Sequence, residues 1–178
     1  MSLIIRNLND LRNQYSLLFC DVWGCVHNGI EAFKSAELAL TSFRKSGGIV
    51  VLLTNAPRPA KAVKRQLDRI GLSDASYDHI VTAGDAALEF IKKNNLGKKI
   101  YHIGPAKDKS FFDTLFSTSG TYGFSLTPLQ KADFIVCTGL FNDQTETPEN
   151  YRSIFTRAKA RKLSMICPNP DVFVDFGD

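Results

Sequence analysis

The chain has 178 residues, of which 44% are hydrophobic and 22% charged, and its net charge is +4 at pH 7. This composition is typical of a globular protein with one domain, or with a compact domain and part of a second. The mild positive charge suits small anionic substrates but is too weak to indicate binding to nucleic acid. The sequence has neither a recognisable signal peptide nor an apolar stretch near the roughly 20 residues of a membrane span, so no membrane association is expected.

The four cysteines form neither a Cys-x-x-Cys motif nor a zinc-binding pattern. Cys20 and Cys137 lie in apolar runs, which predicts that they are buried free thiols. Free thiols are typical of proteins in reducing compartments, so the sequence predicts a cytoplasmic location.

Predicted strands and helices alternate along the chain. Continuous apolar runs predict buried parallel strands at 17–22, 49–53, 80–81, 99–103, 133–138 and 165–167. Apolar residues at helical spacing predict helices at 31–45, 60–70, 85–93, 110–116 and 148–162. The alternating order implies right-handed crossovers between parallel strands. The segment 73–78 is predicted to be a loop between two α/β units, 1–74 and 75–178.

Polar side chains follow the first two predicted strands. Asp21 ends the first apolar run, and Thr54 and Asn55 follow the second. Ligands of open parallel sheets bind beyond the carboxyl ends of the strands, so these groups are expected to share one crevice if the two strands are neighbours. A carboxylate, a hydroxyl and amide donors are the groups that phosphoryl transfer to an aspartate requires. The same residues also fit ordinary turns, and the spacing alone leaves both interpretations open.

Several stretches resemble motifs of the haloacid dehalogenase superfamily. Asp21-Val-Trp-Gly-Cys-Val-His-Asn-Gly29 is similar to its first motif, and Val51-Leu-Leu-Thr-Asn-Ala-Pro57 to its second. Stretches at 82–90, 97–104, 132–139 and 169–171 recur in this order in subfamily IIA, the NagD-like phosphatase branch. The resemblance implies a Rossmann-like parallel-sheet core with an inserted α/β cap domain. The family's later lysine and Gly-Asp motifs have no match, which implies truncation after the cap and an incomplete core.

The resemblance also implies roles for individual residues. Asp21 matches the nucleophile that accepts the phosphoryl group, and Thr54, supported by Asn55, matches the group that binds the transferring phosphate. The implied cofactor is Mg²⁺, held by the Asp21 carboxylate and the backbone carbonyl of Trp23. The implied partner is a small phosphorylated substrate, either a sugar phosphate or a nucleotide. A homodimer through the cap is expected if the phenylalanine-rich stretch 111–116 is exposed.

Trp23 departs from the family pattern because it occupies the position of the second aspartate, which acts as general acid and base. An indole cannot transfer protons in this way, and His27 is a nearby candidate to replace it. Two main hypotheses follow: an aspartyl-phosphate phosphatase, or a catalytically impaired or non-catalytic protein that binds phosphate ligands on the same fold. A receiver-like phosphoacceptor domain is disfavoured, since receivers carry an acidic pair after the first strand and Asp21 stands alone.

Overall fold

The computed structural model of the protein describes residues 7–11, 14–116 and 123–171. These residues form two compact units, each with its own parallel sheet, which confirms the predicted α/β class. The first unit contains the described chain up to Thr54 together with Ala60–Thr82. The second unit contains Asn55–Pro59 and Ala83–Asp171.

The first unit is a three-stranded parallel sheet with two helices. Its spatial strand order is β1-β2-β3, with β1 at Leu17–Asp21, β2 at Ile49–Thr54 and β3 at His79–Thr82. Helix α1 spans Lys34–Lys45 and helix α2 spans Ala60–Arg69. Because β3 pairs with β2, the first unit extends to Thr82, whereas the sequence placed a boundary near residue 75. The division into a core and a cap domain stays a prediction.

The central strand β2 carries much of the core of the first unit. Val50 and Leu52 are fully buried, and α1 contributes the buried ring of Phe43. Gly48 has to lack a side chain, because a Cβ there would lie 2.2 Å from a ring carbon of Phe43. The opposite face of the sheet carries five exposed apolar side chains, Leu17, Phe19, Ile49, Leu53 and Val81, together with the buried Val51.

The second unit is a four-stranded parallel sheet with helices packed on both faces. Its strand order is β5-β4-β6-β7, with β4 at Lys99–Ile103, β5 at Ser125–Leu126, β6 at Phe134–Cys137 and β7 at Ser164–Ile166. Its helices are α3 at Ala83–Lys93, α4 at Lys109–Phe116 and α5 at Arg152–Ala160. One core cluster joins α3 and α4 to the sheet, and a second joins α5 to the other face.

Two local features differ from the sequence expectations. Helix α1 begins later than residue 31, because the Asn28 side chain accepts hydrogen bonds from the N–H groups of Ile30 and Glu31 and holds a turn there. The helix predicted at 148–162 begins as a 3₁₀ turn, and only α5 is α-helical. Within the phenylalanine-rich stretch, Phe111 and Phe112 are buried, whereas Phe116 is 39% exposed.

All four cysteines are free thiols. Cys20 and Cys137 are only partly buried, and burial raises the pKa of both, that of Cys20 to about 11. In the part of the chain that the structure describes, every helix is too short or too polar to cross a bilayer. The cytoplasmic location stays a prediction.

Candidate active site

Asp21 and Thr54 are the last residues of two neighbouring parallel strands, β1 and β2. The register pairs Asp21 with Leu53, so Thr54 lies one residue further along the same sheet edge. Paired residues share a face and successive residues alternate, so Asp21 and Thr54 leave opposite faces. A ligand that contacts both side chains must therefore lie beyond the carboxyl edge of the sheet, where parallel sheets bind their ligands.

The Asp21 carboxylate is exposed and has two cysteines beside it. Cys25 donates a weak S–H hydrogen bond to Oδ2 of Asp21 at 3.9 Å, and Cys20 donates to the Asp21 carbonyl at 3.1 Å. Burial, and then the nearby Cys25 and Asp21, raise the pKa of Cys20, which is therefore a neutral thiol at pH 7. The contact between Cys25 and Asp21 was not predicted from the sequence, although a tight turn of four residues could have indicated it.

A compact hydrogen-bonded turn follows Asp21. The Val22 carbonyl accepts from the N–H of Val26 at 2.8 Å and of His27 at 3.3 Å, and the Gly24 N–H donates to the His27 carbonyl at 2.9 Å. Gly24 has a φ of 74°, which an ordinary side chain would strain. These bonds use backbone groups on both sides of Trp23 and fix the course of the chain through that residue.

His27 is a buried part of this turn. It is 3% exposed, its Nδ1 accepts from the Gly29 N–H at 2.9 Å, and its ring meets the Trp23 ring edge to face at 5.2 Å. Since Nδ1 is occupied by this bond and the ring is enclosed, His27 is placed to stabilise the turn. The geometry does not favour His27 as a substitute for the missing acid and base.

Thr54 and Asn55 are consecutive residues with different surroundings. Thr54 is 7% exposed at the end of β2. Asn55 is exposed, and its Nδ2 donates a hydrogen bond to Oδ2 of Asp171. Because 116 residues separate these two partners, their contact is visible only in the folded chain. Residues 169–171 resemble a family motif, but that resemblance does not indicate this contact.

The loop 55–59 is packed closely within the second unit. The Gly84 N–H donates to the Ala56 carbonyl at 3.1 Å, and a Cβ on Gly84 would lie 2.6 Å from backbone atoms of Arg58. Burial raises the pKa of Asp108, while a hydrogen bond with Thr138 and the positive charge of Arg58 oppose that rise. The backbone of the loop that follows Thr54 is therefore closely constrained.

A polar cluster also lies at the carboxyl ends of β4 and β6. Nε2 of His102 lies 2.9 Å from Oγ1 of Thr138, whose side chain also bonds Asp108. Burial lowers the pKa of His102 to about 4, so its ring is neutral at pH 7. A Cβ on Gly104 would overlap Oγ1 of Thr138. The lack of a side chain at Gly104 therefore leaves room for the contact between His102 and Thr138.

The sequence of this chain matches a family model described as haloacid dehalogenase-like hydrolase over residues 18–115, which is more than half of its length. The chain belongs to the haloacid dehalogenase-like hydrolases. This confirms the resemblance carried by the motifs that begin at Asp21 and Val51, since both lie within the matched residues. No curated protein matches the sequence.

Several solved structures share the fold of this chain. A family member from Brucella suis 1330 is 37% identical, with a TM-score of 0.87, over 98% of this chain and 64% of its own. NagD from E. coli K-12 is 22% identical with a TM-score of 0.60, over 90% of this chain and 59% of its own. The 4-nitrophenylphosphatase from Thermotoga maritima is also 22% identical, with a TM-score of 0.62, over 91% of this chain and 57% of its own. The chain thus spans less than two thirds of each of these proteins.

Proposed function

We propose that the protein hydrolyses the phosphate ester of a small metabolite, such as a sugar phosphate or a nucleotide, with Asp21 as nucleophile. The observation that carries this proposal is the exposed Asp21 carboxylate at the end of β1, beside Thr54 at the end of the neighbouring strand. An Asp21 oxygen would attack phosphorus while the bond to the leaving oxygen breaks, which gives an aspartyl-phosphate and an alkoxide that takes a proton from solvent. Water would then attack the same phosphorus, releasing inorganic phosphate and restoring the carboxylate.

Further features of the first unit support an anionic ligand at this edge. The Thr54 hydroxyl can donate to a phosphate oxygen. The family resemblance adds the amide of Asn55, the next residue in the chain, which belongs to the second unit. Helix α2 returns antiparallel to β2, so its N-terminal end points towards the same edge, where its dipole favours negative charge. The name of the 4-nitrophenylphosphatase that shares the fold also supports a phosphomonoester as substrate.

We propose Mg²⁺ as cofactor, held by the Asp21 carboxylate and the Trp23 carbonyl. One carboxylate, one carbonyl and several waters form a donor set that suits a hard cation. Within the described residues, no three His, Cys, Asp or Glu side chains cluster as a metal site, so this donor set stays a minimal one. When bound, Mg²⁺ would neutralise charge on the transferring phosphoryl group.

The second unit is proposed as the cap that selects the substrate, since the family resemblance assigns that role to this part of the chain. Its parallel sheet has its own polar cluster, formed by His102, Thr138 and Asp108, and its own hydrophobic cores. The homodimer through this unit stays a prediction, and the partial exposure of Phe116 is compatible with it.

The test is hydrolysis of 4-nitrophenyl phosphate in the presence of Mg²⁺. Asp21→Asn should remove turnover, because the amide is a poor nucleophile that cannot form the phosphoenzyme. The matched control is Asp68→Asn, which makes the same replacement of a carboxylate by an amide at an exposed position of α2. This variant should retain activity. Equal activity of the wild type and Asp21→Asn would exclude the proposed mechanism.

A second candidate function is phosphate-ligand binding with little or no catalysis. The observation that favours it is Trp23, which stands where a general acid is needed and is packed against the buried His27. A positioned acid and base typically contributes about 10²- to 10⁴-fold to the rate. If only this group is missing, Trp23→Asp should raise turnover by a comparable factor. Binding of phosphate analogues without turnover in both proteins would instead support the binding function.

A further inference from the structure

We propose that Asp171 is a positioning residue for phosphate binding, because its carboxylate fixes the orientation of the Asn55 amide. Asn55 Nδ2 donates to Asp171 Oδ2, and both residues belong to the second unit. This inference rests on the proposed function, in which Asn55 supports the binding of the phosphate. It assigns to Asp171 an effect on the ligand that acts through another side chain.

Asp171 is itself held by a local hydrogen-bonded turn. Strand β7 ends at Ile166, and the chain then passes through Pro168, which is buried. The Asp171 N–H donates to the Asn169 side-chain oxygen at 3.0 Å, and the Cys167 thiol donates to the Asn169 carbonyl at 3.2 Å. The backbone that carries the Asp171 carboxylate is therefore constrained on the side of the strand.

The chemistry of the pair determines which way the amide faces. An asparagine amide has an NH₂ end that donates and an oxygen end that accepts, and rotation of the side chain exchanges them. A carboxylate only accepts, so Asp171 selects the NH₂ end of Asn55. The amide then keeps one N–H for a further acceptor, and less conformational entropy is lost when that N–H binds a phosphate oxygen.

The charge of Asp171 makes this role unusual and easy to test. A carboxylate that lies beside a side chain that binds an anion repels that anion. If Asp171 had only this electrostatic effect, its removal would strengthen phosphate binding. A positioning role predicts the opposite result, since removal would release the Asn55 amide. The sign of the change in affinity therefore distinguishes the two roles.

The experiment measures inorganic phosphate binding by calorimetry with Asp171→Ala, Asp171→Asn and Asn55→Ala. We expect Asp171→Ala to weaken binding about five- to tenfold, the value of one ordinary hydrogen bond. Asp171→Asn removes the charge but keeps an acceptor oxygen, so it should recover most of that loss. The double variant should bind no more weakly than Asn55→Ala, because the two residues act through one contact. In the same unit, Glu89→Ala removes an exposed carboxylate from α3 and should bind like the wild type.

Two results would overturn the inference. Tighter phosphate binding by both Asp171→Ala and Asp171→Asn would show that the carboxylate only repels the ligand. Weak binding by Asn55→Ala together with unchanged binding by Asp171→Ala would show that Asn55 acts without Asp171. Calorimetry measures binding and requires no turnover. An inactive wild type would therefore contradict the proposed phosphatase activity, whereas the role of Asp171 in phosphate binding could still be tested. Where turnover is present, positioning predicts a raised KM for Asp171→Ala with a smaller change in kcat.

Discussion

Gly84 offers a direct test of how closely the loop 55–59 packs within the second unit. It is the second residue of α3, and a Cβ built there would lie 2.6 Å from the backbone carbon and oxygen of Arg58. Ordinary contacts begin near 3.4 Å, so the methyl group of Gly84→Ala would be about 0.8 Å too close to atoms that no rotamer change can move. Either the loop backbone or the start of α3 has to shift.

Two opposing effects set the size of the change in stability. Overpacking of a tight contact typically costs about 1–3 kcal/mol, whereas alanine in place of glycine favours a helix by up to about 1 kcal/mol. We therefore expect Gly84→Ala to lower the free energy of unfolding by about 1–2 kcal/mol. Circular dichroism during urea unfolding measures it, since the single tryptophan, Trp23, reports only on the first unit. Hydrogen exchange should become faster at the Gly84 amide, which donates to Ala56.

A matched control measures the contribution of helix propensity separately. Ala86 is exposed in the same helix, so Ala86→Gly measures the cost of a glycine there without a clash, expected at about 1 kcal/mol. If Gly84→Ala were instead to stabilise the protein by that amount, the close approach of the Arg58 backbone would be refuted. Weaker phosphate binding in Gly84→Ala would in addition link this packing to Asn55 in the same loop.

Two further predictions concern pH and ion pairing. Burial lowers the pKa of His102 to about 4, so between pH 6.5 and 4 the unfolded chain binds a proton that the folded chain does not, and stability falls as pH falls. Between pH 7 and 5, His102→Asn should lose about 1 kcal/mol less stability than the wild type in urea unfolding. This is half of the roughly 2 kcal/mol that the shift gives over this pH range, because the ring is only partly buried. An equal loss would contradict this, and Asp108, whose raised pKa acts with the opposite sign, is present in both proteins. The Arg44 guanidinium, and then the Val50 N–H, lower the pKa of Asp78, so the stability it contributes is present above its unfolded pKa and is lost as pH falls. Asp78→Ala should destabilise the first unit by about 1–2 kcal/mol at pH 7, measured by Trp23 fluorescence, and a change below about 0.5 kcal/mol would show that this ion pair is not stabilising.

The main elements of the fold could be predicted because their signals are local. Uninterrupted apolar runs indicate buried parallel strands, and β1, β2, β4 and β6 lie close to the predicted positions. Strand β5 has only two residues, too few for a periodic pattern to indicate it. The start of α1 was placed too early because the Asn28 turn competes with the helix for the same residues.

The candidate site could be predicted only in part. Asp21 and Thr54 were expected to share one edge because the ends of parallel strands meet there, and the pairing of β1 with β2 shows that they do, while their roles stay predictions. The contact between Asn55 and Asp171 joins residues 116 positions apart, and no local pattern encodes such a distance. The part played by His27 was also open from the sequence, because burial decides between a proton carrier and a structural ring.

Trp23 has a consequence for the kind of substrate that the proposed enzyme can use. Since the Trp23 indole cannot act as a general acid, we expect the leaving oxygen to depart unprotonated, so that the rate depends strongly on how stable that anion is. Aryl phosphates with acidic phenols, such as 4-nitrophenyl phosphate, should therefore react much faster than phenyl phosphate and alkyl phosphates. Trp23→Asp would supply the acid and should raise the rates of the poorer leaving groups most. The measurement is kcat/KM for a series of aryl phosphates against the pKa of the phenol. A slope that is shallow in the wild type and unchanged in Trp23→Asp would show that another group already protonates the leaving oxygen.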